Sequence, residues 1–348
     1  MKPEVLVRQA DRLGDDLRAR AGESIARATE LTAAGAFAGI GRVVLVGNGD
    51  SHHAAHAAAL AFVKFAGVAC EPLPAQRFAD YPGPGMGRGT LVVGISASGG
   101  SPMVVEAIRR ARELGAVTVA VTGRPGSALT DAAEHPFVAT LPGLEPSPGV
   151  RTHQLSLLLL LALAIGIGTR RAVLSTVEQQ RLAGELGALA DLVEETAALA
   201  RPVCARIAAE VANAPLRIFL GTGPSHGSAL HAAAKIVESA GLPSLGQDTE
   251  EWWHVERFCR PADLPVFVLA QPGTAHRRAV ALAARARQRG RRLRFVGEAG
   301  EYGAPDVPIA GPVRAEFAPL VYGVFAPYLA ADVAAELGHE PFLADLSG

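Results

Sequence analysis

The sequence predicts an α/β protein built from two copies of one domain, each a doubly wound parallel sheet flanked by helices, and three observations predict it. Gly47-Asn48-Gly49-Asp50-Ser51 recurs as Gly221-Thr222-Gly223-Pro224-Ser225. Each copy follows an apolar strand-like run, Val43-Val44-Leu45-Val46 or Ile218-Phe219-Leu220, and precedes an Ala-rich helical stretch. Further on, Ile95-Ser96-Ala97-Ser98-Gly99 falls at the same offset as Leu269-Ala270-Gln271-Pro272-Gly273 in the second half. Self-similarity of this kind marks repeated structural units. Strands alternating with helices imply right-handed βαβ units and a parallel sheet.

Residues 1–35 are charged and Ala-rich, with Leu6, Ala10, Leu13, Leu17 and Ala21 at helical spacing, and read as a helical arm. From Val43 the pattern predicts a strand to Val46, a helix over 52–66, a strand over 90–95, a helix over 102–114 and a strand over 117–121. Ser101-Pro102 is an N-cap followed by Pro at the first helical position, and Gly115 is the matching stop. Residues 169–205 carry Glu, Arg and Leu at helical spacing and predict helices joining the halves. The second half repeats the order, with strands over 217–220, 266–270 and 293–296. An amphipathic helix over 319–337 follows, and then a short tail.

The length of 348 residues suits about two domains. Apolar residues make up 49% but aromatics only 5%, a composition of small aliphatic side chains suited to helices on a sheet. With 33 Lys and Arg against 34 Asp and Glu the net charge is −1, so no global field draws nucleic acid or a membrane surface, and neither is an expected partner. Cys70, Cys204 and Cys259 are odd in number and lack paired spacing, which fits a reduced cytoplasmic protein and offers no zinc site. The first residues are charged and contain no apolar signal core. The run Leu155–Gly168 is shorter than the roughly 20 residues that cross a bilayer and reads as a buried helix.

The chemistry concentrates at strand-to-helix junctions. Ser96-Ala97-Ser98-Gly99-Gly100-Ser101 leaves a strand and opens a helix, where free N–H groups and the positive helix end collect an anion. Gly99 and Gly100 let the backbone approach closely, Ser96, Ser98 and Ser101 can donate hydroxyl hydrogen bonds, and Ser51 in the loop after the first strand would close the pocket. Any one of these serines could be a plain cap or turn former. Four at two junctions point to a phosphate. A dinucleotide fold is the competing reading of Gly47-x-Gly49, but His52 stands where the third glycine of that fingerprint belongs. In the second half, Glu238 and Lys235 share a helix face, with His231 one turn back. A tuned carboxylate such as Glu238 can move a proton between adjacent carbons, and Lys235 can hold it ionised, although an i,i+3 surface salt bridge is the simpler role for the lysine. His254 follows Trp252-Trp253, which could wall a pocket or pack into an interface.

On Gly47-x-Gly49-x-Ser51, Ser96-x-Ser98-Gly99-x-Ser101, Pro125-Gly126-Ser127-x-Leu129 and Lys235-x-x-Glu238 with His254 beyond it, the chain resembles the tandem sugar isomerase (SIS) domain family. That family includes the isomerase portion of glucosamine-6-phosphate synthases, amino-sugar-phosphate deaminases and deglycases. The resemblance covers about residues 36–345. It implies a flavodoxin-like sheet in each domain and a division into five parts: an arm over 1–35, a phosphosugar-binding SIS domain over 36–168, connecting helices over 169–210, a second SIS domain with acid–base residues over 211–310, and a helix and tail over 311–348. It further implies that Ser51, Ser96, Ser98 and Ser101, with Gly49 and Gly99, hold a sugar phosphate, that Glu238 is the base, and that Lys235 supports it. His254 would open the sugar ring from the partner subunit of a homodimer. No cofactor and no metal are expected.

The chain departs from the family pattern at three places. Ala97 replaces a frequent polar residue of the phosphate loop, and Ala270-Gln271-Pro272-Gly273-Thr274 lacks the serines, so the second copy is not expected to hold phosphate. Asp345 stands near the place of the synthases' tail lysine, and a carboxylate cannot form its imine. The chain opens directly into the isomerase part, so glutamine-dependent amination by this polypeptide alone is not expected. These points favour a phosphosugar aldose–ketose isomerase or amino-sugar-phosphate deaminase. The alternative is a non-catalytic regulatory protein that binds a sugar phosphate.

Overall fold

The computed structural model describes residues 1–271, 273–300 and 304–342. Helices α1 (Glu4–Ala10) and α2 (Leu13–Thr32) precede β1 (Arg42–Gly47), α3 (Asp50–Ala61), β2 (Ala69–Pro74), α4 (Ala75–Asp80), β3 (Thr90–Ile95), α5 (Pro102–Glu113), β4 (Val117–Thr122), α6 (Ala128–Ala132) and β5 (His135–Val138). Two long helices follow, α7 (Arg151–Arg170) and α8 (Thr176–Val211). The second series is β6 (Arg217–Gly221), α9 (Pro224–Ala240), β7 (Ser244–Asp248), α10 (Thr249–His254), β8 (Val266–Leu269), α11 (His276–Arg287), β9 (Leu293–Gly297), β10 (Val307–Pro308), α12 (Ala318–Tyr322) and α13 (Phe325–Leu337).

The strands form two five-stranded sheets with orders β2-β1-β3-β4-β5 and β7-β6-β8-β9-β10, and all their pairings are parallel. The second order repeats the first strand for strand. The strand direction of travel reverses between β1 and β3, and again between β6 and β8, which leaves a crevice at the carboxyl ends of each pair. The chain divides into two compact units, each holding one sheet. The first-sheet unit is Asp15–Leu144 with Arg151–Leu189, and the second-sheet unit is Met1–Gly14, Glu145–Val150 and Ala190–Gly348.

Central strands form where the sequence is continuously apolar. All of β3, β6 and β8 is buried, as is β1 beyond Arg42. The strands that the pattern did not predict are β2, β5, β7 and β10, and each is a sheet edge. Edge strands are covered on fewer sides, so Ala69-Cys70-Glu71-Pro72-Leu73-Pro74 can carry two prolines and a glutamate and still pair along β1. The helix expected over 52–66 begins at Asp50 and gives way to a π-helical turn over Phe62–Ala66, closed by Gly67 at φ 62°. The joining helices are a single one, α8, and the C-terminal helix is broken into α12 and α13.

Nearly every residue of α7 is buried, which makes this apolar run a core helix packed on α3 in the first-sheet unit. Its first residue, Arg151, is 1% exposed and paired with Asp16 of α2, Nε to Oδ2 at 2.5 Å and Nη2 to Oδ1 at 2.7 Å. The same guanidinium donates to the carbonyls of Pro142 and Gly143 at 3.0 and 3.2 Å, so it ties α2, α7 and the chain after β5 together. In the second-sheet unit the buried Arg217 donates to the Val211 carbonyl at the end of α8 from both Nε, at 3.1 Å, and Nη2, at 2.9 Å. That carbonyl is one of the groups a helix end leaves unsatisfied.

Removing one partner of a buried ion pair strands the other charge. Arg151→Met is therefore expected to lower the unfolding free energy by about 3–5 kcal/mol. Asp16→Leu/Arg151→Met should recover most of that loss, and urea unfolding of the wild type and both variants measures the difference.

Candidate functional site

Both G-x-G-x-S turns are built the same way. Gly49 caps α3 at φ 52°, ψ −129°, and Gly223 caps α9 at φ 63°, ψ −130°, a conformation that side chains with a Cβ avoid. A Cβ on Gly47 would lie 2.9 Å from the Ser51 Cβ, and one on Gly221 would lie 2.2 Å from the Ser225 carbonyl oxygen. The missing side chains let each helix start directly on the end of its strand. Ser51 thereby stands in the first turn of α3, part-exposed, while Ser225 is fully buried and its Oγ has no hydrogen-bond partner among the described residues.

In the first-sheet unit the loop after β3 is held in a tight coil. Ser96 N donates to Val121 O at 3.1 Å, Gly99 N to Ser96 O at 3.0 Å, and Gly123 N to Ala97 O at 3.1 Å. The carbonyl of Ala97 also accepts from the Thr122 hydroxyl, so this residue serves through its backbone. Gly99 sits at φ 64°, and a Cβ there would lie 2.1 Å from Ser127 Oγ, which accepts from the Thr130 N–H at the start of α6. Ser127 and Thr122 thus shape the loop from behind. The Pro125-Gly126-Ser127-x-Leu129 motif marked this segment in the sequence, but its service to Gly99 becomes visible only in three dimensions.

The four predicted serines do not behave as simple caps. Ser101 is the N-cap of α5, yet its side chain makes no capping hydrogen bond. Ser98 is exposed, and its Oγ accepts from Gly100 N at 3.3 Å in a local turn. Ser96 is buried at 5% exposure, and Ser51 and Ser101 are part-exposed. With Gly49 and Gly99 they come from the loops after β1 and β3, the two strands that flank the reversal of the first sheet. Asn48, between the two glycines of the turn, accepts from Ala75 N at 3.3 Å and draws the loop after β2 against it.

In the second-sheet unit α9 carries Lys235 and Glu238. Lys235 is fully buried, which corrects its reading as a surface salt bridge, and its Nζ pairs with Glu238 Oε2 while the carboxylate stays 30% exposed. His231, one turn back, is buried as well. The Glu238 carbonyl accepts from Phe342 N at 2.8 Å, and His339 Nδ1 lies 2.6 Å from the Ala240 carbonyl, so residues 339–342 are fastened to the end of α9. Asp345 lies outside the described residues.

His254 ends α10 with its side chain 66% exposed, 3.4 Å from Glu250, and it is flanked by Val255 and Phe258, exposed at 61% and 63%. Within the second-sheet unit His254 is not gathered with Glu238 by any hydrogen bond or ion pair among the described residues. Trp252 and Trp253 are neither pocket walls nor surface residues. They join the core under the second sheet with Ile218, Leu220, Val266 and Leu282.

A cavity of about 600 Å³, with no signature in the sequence pattern, lies beside the ends of β8 and β9, lined by His276, Arg277, Glu298 and Tyr322 among others. Burial raises the Glu298 carboxyl above the ordinary range, and the Tyr322 hydroxyl lies 3.4 Å from its Oε1. A lone Glu after an apolar strand has no periodic signature, and the neighbour that makes it notable is distant in sequence.

Residues 36–166 match the family model of the SIS domain. The chain is 26% identical over 311 residues to a glutamine–fructose-6-phosphate aminotransferase [isomerizing] of Nostoc sp. (strain PCC 9229), covering 85% of this chain and 49% of that protein. The chain thus spans about half the length of the curated relative. Among solved structures, the C-terminal domain of glucosamine-fructose-6-phosphate aminotransferase from Francisella tularensis superposes with TM-score 0.85 at 19% identity, covering 97% of each chain. Tagatose-6-phosphate ketose/aldose isomerase from Escherichia coli superposes with TM-score 0.75 at 16% identity, covering 97% of this chain and 95% of that one. At such identities the structural likeness speaks for the fold alone. Residues 36–166 thus carry a SIS domain, the second sheet repeats its strand order, and relatives of this kind extend along most of the chain.

Proposed function

We propose that the protein is a phosphosugar aldose–ketose isomerase, or an amino-sugar-phosphate deaminase that runs through the same proton transfer. The observation that carries this reading is the Lys235–Glu238 pair. A lysine with no exposed surface, held against a part-exposed carboxylate, is an arrangement that a binding module does not need. The aminotransferase and ketose/aldose isomerase relatives act, by their names, on hexose 6-phosphates.

Ser51, Ser96, Ser98 and Ser101, with the N–H groups around Gly49 and Gly99, take the phosphate. The sugar must open before its carbonyl can enolise. A histidine suits that step because it can deliver a proton to the ring oxygen while accepting one from the anomeric hydroxyl. Glu238 then takes the proton from C2 of an aldose, the electron pair moves to form the enediolate with its negative charge on O1, the O2 hydroxyl proton passes to O1, and the same carboxyl returns a proton to C1 as the carbonyl forms at C2, giving the ketose. Lys235 keeps Glu238 ionised in its resting state. Where C2 carries an amine, protonation at C1 gives an imine that water hydrolyses, releasing ammonia and the ketose.

His254 acts, in this reading, in the site of the partner subunit of a homodimer. Its own exposure and that of Val255 and Phe258 support this, since apolar side chains beside a candidate catalytic group favour burial against another surface.

Glu238→Gln should lower turnover by about 10²–10⁴-fold and leave phosphate-dependent binding in place. Deuterium uptake at C2 of hexose 6-phosphates in deuterated water reads the chemical step directly, and retained exchange in the variant would remove Glu238 as the base. Ser98→Ala should weaken binding of the phosphorylated sugar by about tenfold with little effect on the unphosphorylated one. Titration calorimetry measures both. Finally, a mixture of His254→Ala and Glu238→Gln chains, each inactive alone, should regain activity after subunit exchange, because one site of the mixed dimer then holds both intact groups. A mixed dimer without activity would place His254 in its own chain's site.

A further inference from the structure

The cavity of about 600 Å³ runs beside α11, and its lining comes wholly from the second-sheet unit. From α11 it takes His276, Arg277, Val280, Ala284 and Arg287. These residues are spread from the first turn of that helix to the last, which makes a trough about 16 Å long. Phe295 and Gly297 of β9 join them, two residues apart and so on one face of the sheet. The repeat shows why the space is open. In the first-sheet unit the connection from β4 to β5 folds into α6, whose buried Leu129 and Ala132 join the core with Val104 and Ile108 of α5. The described part of the connection from β9 to β10 holds no helix, and its Ala299, Ala304 and Pro305 line the space instead of filling it.

We propose that this cavity binds a small carboxylate carrying an apolar body. Its two ends differ. At the first turn of α11, His276 Nδ1 lies 2.9 Å from the Ala270 carbonyl, and the Tyr322 hydroxyl lies 3.5 Å from the same oxygen and 3.4 Å from Glu298 Oε1. A carbonyl only accepts, so His276 Nδ1 carries a proton, and a second proton on Nε2 makes the ring a cation. Arg277 beside it is exposed and forms no ion pair among the described residues. Glu298 is half-buried against Gly311, where a Cβ would lie 2.3 Å from its Cδ. That burial raises its carboxyl above the ordinary range, against the opposite pull of the Val313 backbone, Tyr322 and His276. Glu298 therefore keeps its proton more readily than an open carboxyl and can donate it to an acceptor. Two cationic side chains beside such a donor suit a ligand carboxylate and repel an ammonium.

The rest of the trough is apolar, with Val280, Ala284, Phe295, Ala304 and Pro305 along it. Its far end is closed by Arg287, whose Nη2 donates to the Leu293 carbonyl at 3.0 Å and pairs with Asp306 at 3.2 Å. The Arg287 Cζ stands 5.4 Å from the centre of the Phe295 ring. With its charge met by Asp306, Arg287 offers no second seat for an anion. The ligand's charge thus belongs at the Glu298 end and its apolar body along α11, where each methylene taken out of water adds to affinity. The volume falls among those of ordinary small-molecule sites.

The assignment stands apart from the proposed function, because none of its residues belongs to the serine crevice or to the Lys235–Glu238 pair. Titration calorimetry of the full chain with decanoate, butyrate and decylammonium tests it. Decanoate should bind with one equivalent per chain, about tenfold or more tighter than either comparator. Arg277→Glu, a change at an exposed residue, should weaken decanoate by about tenfold or more. Glu298→Gln keeps a donor and should bind within about threefold of the wild type, whereas Ala284→Phe fills the trough and should abolish binding. Equal affinity for decanoate and butyrate would overturn the apolar trough, and decylammonium bound as tightly as decanoate would overturn the charge assignment. Decanoate binding that Arg277→Glu and Ala284→Phe both leave unchanged would place the ligand elsewhere and sink the site.

Discussion

The architecture rests on the turn between the first strand of each sheet and the helix that follows. Two backbone requirements meet there. The second glycine of each turn occupies a region at positive φ and ψ near −130°, and the first must lack a Cβ because the helix starts where that atom would stand. Once these are met, the helix axis is aimed back along its strand and the parallel order of the sheet follows from the right-handed crossover. Nothing in the constraint concerns Asn48, Asp50, Thr222 or Pro224, the residues between and after the glycines. The two units can therefore share a frame while their crevices carry different chemistry.

That separation explains what could be read from the sequence. The central strands β1, β3, β6 and β8 are mainly apolar runs, β4 and β9 keep that character around Thr118 and Arg294, and each was predicted. The four edges were not, because partial exposure permits Pro72, Pro136 and Gln247 in strands that still pair. Helix interruptions such as the π-turn at Phe62–Ala66 depend on packing against α7 and leave no mark in local periodicity.

The candidate site was legible to a different depth in each half. Serines around glycines at strand ends announce themselves, and the structure places them on the two loops that flank the sheet reversal. The Lys235–Glu238 spacing was readable, but the burial of Lys235 was not, since an i,i+3 pair looks the same on a surface helix as on one covered by α12 and α13. Trp252 and Trp253 misled for the opposite reason. Tryptophans near a histidine invite a ligand, whereas the core beneath the second sheet required their volume. Ser127 and Glu298 depend on neighbours brought in by the fold, which spacing alone does not encode.

The burial of Lys235 has a consequence for how the chain can be interrogated chemically. Arginine supplies almost all of its positive charge, and its lysines are Lys2, Lys64 and Lys235. Lys2 and Lys64 are exposed, so lysine is kept in the interior only where a compact ammonium meets the carboxylate of Glu238. An amine-acylating reagent thus finds two side chains and the terminal amine on the native surface, and it reaches the third lysine only through an opening of α9. The rate of that one modification is a clock for local breathing at the acid–base pair, present in the natural chain without an added label.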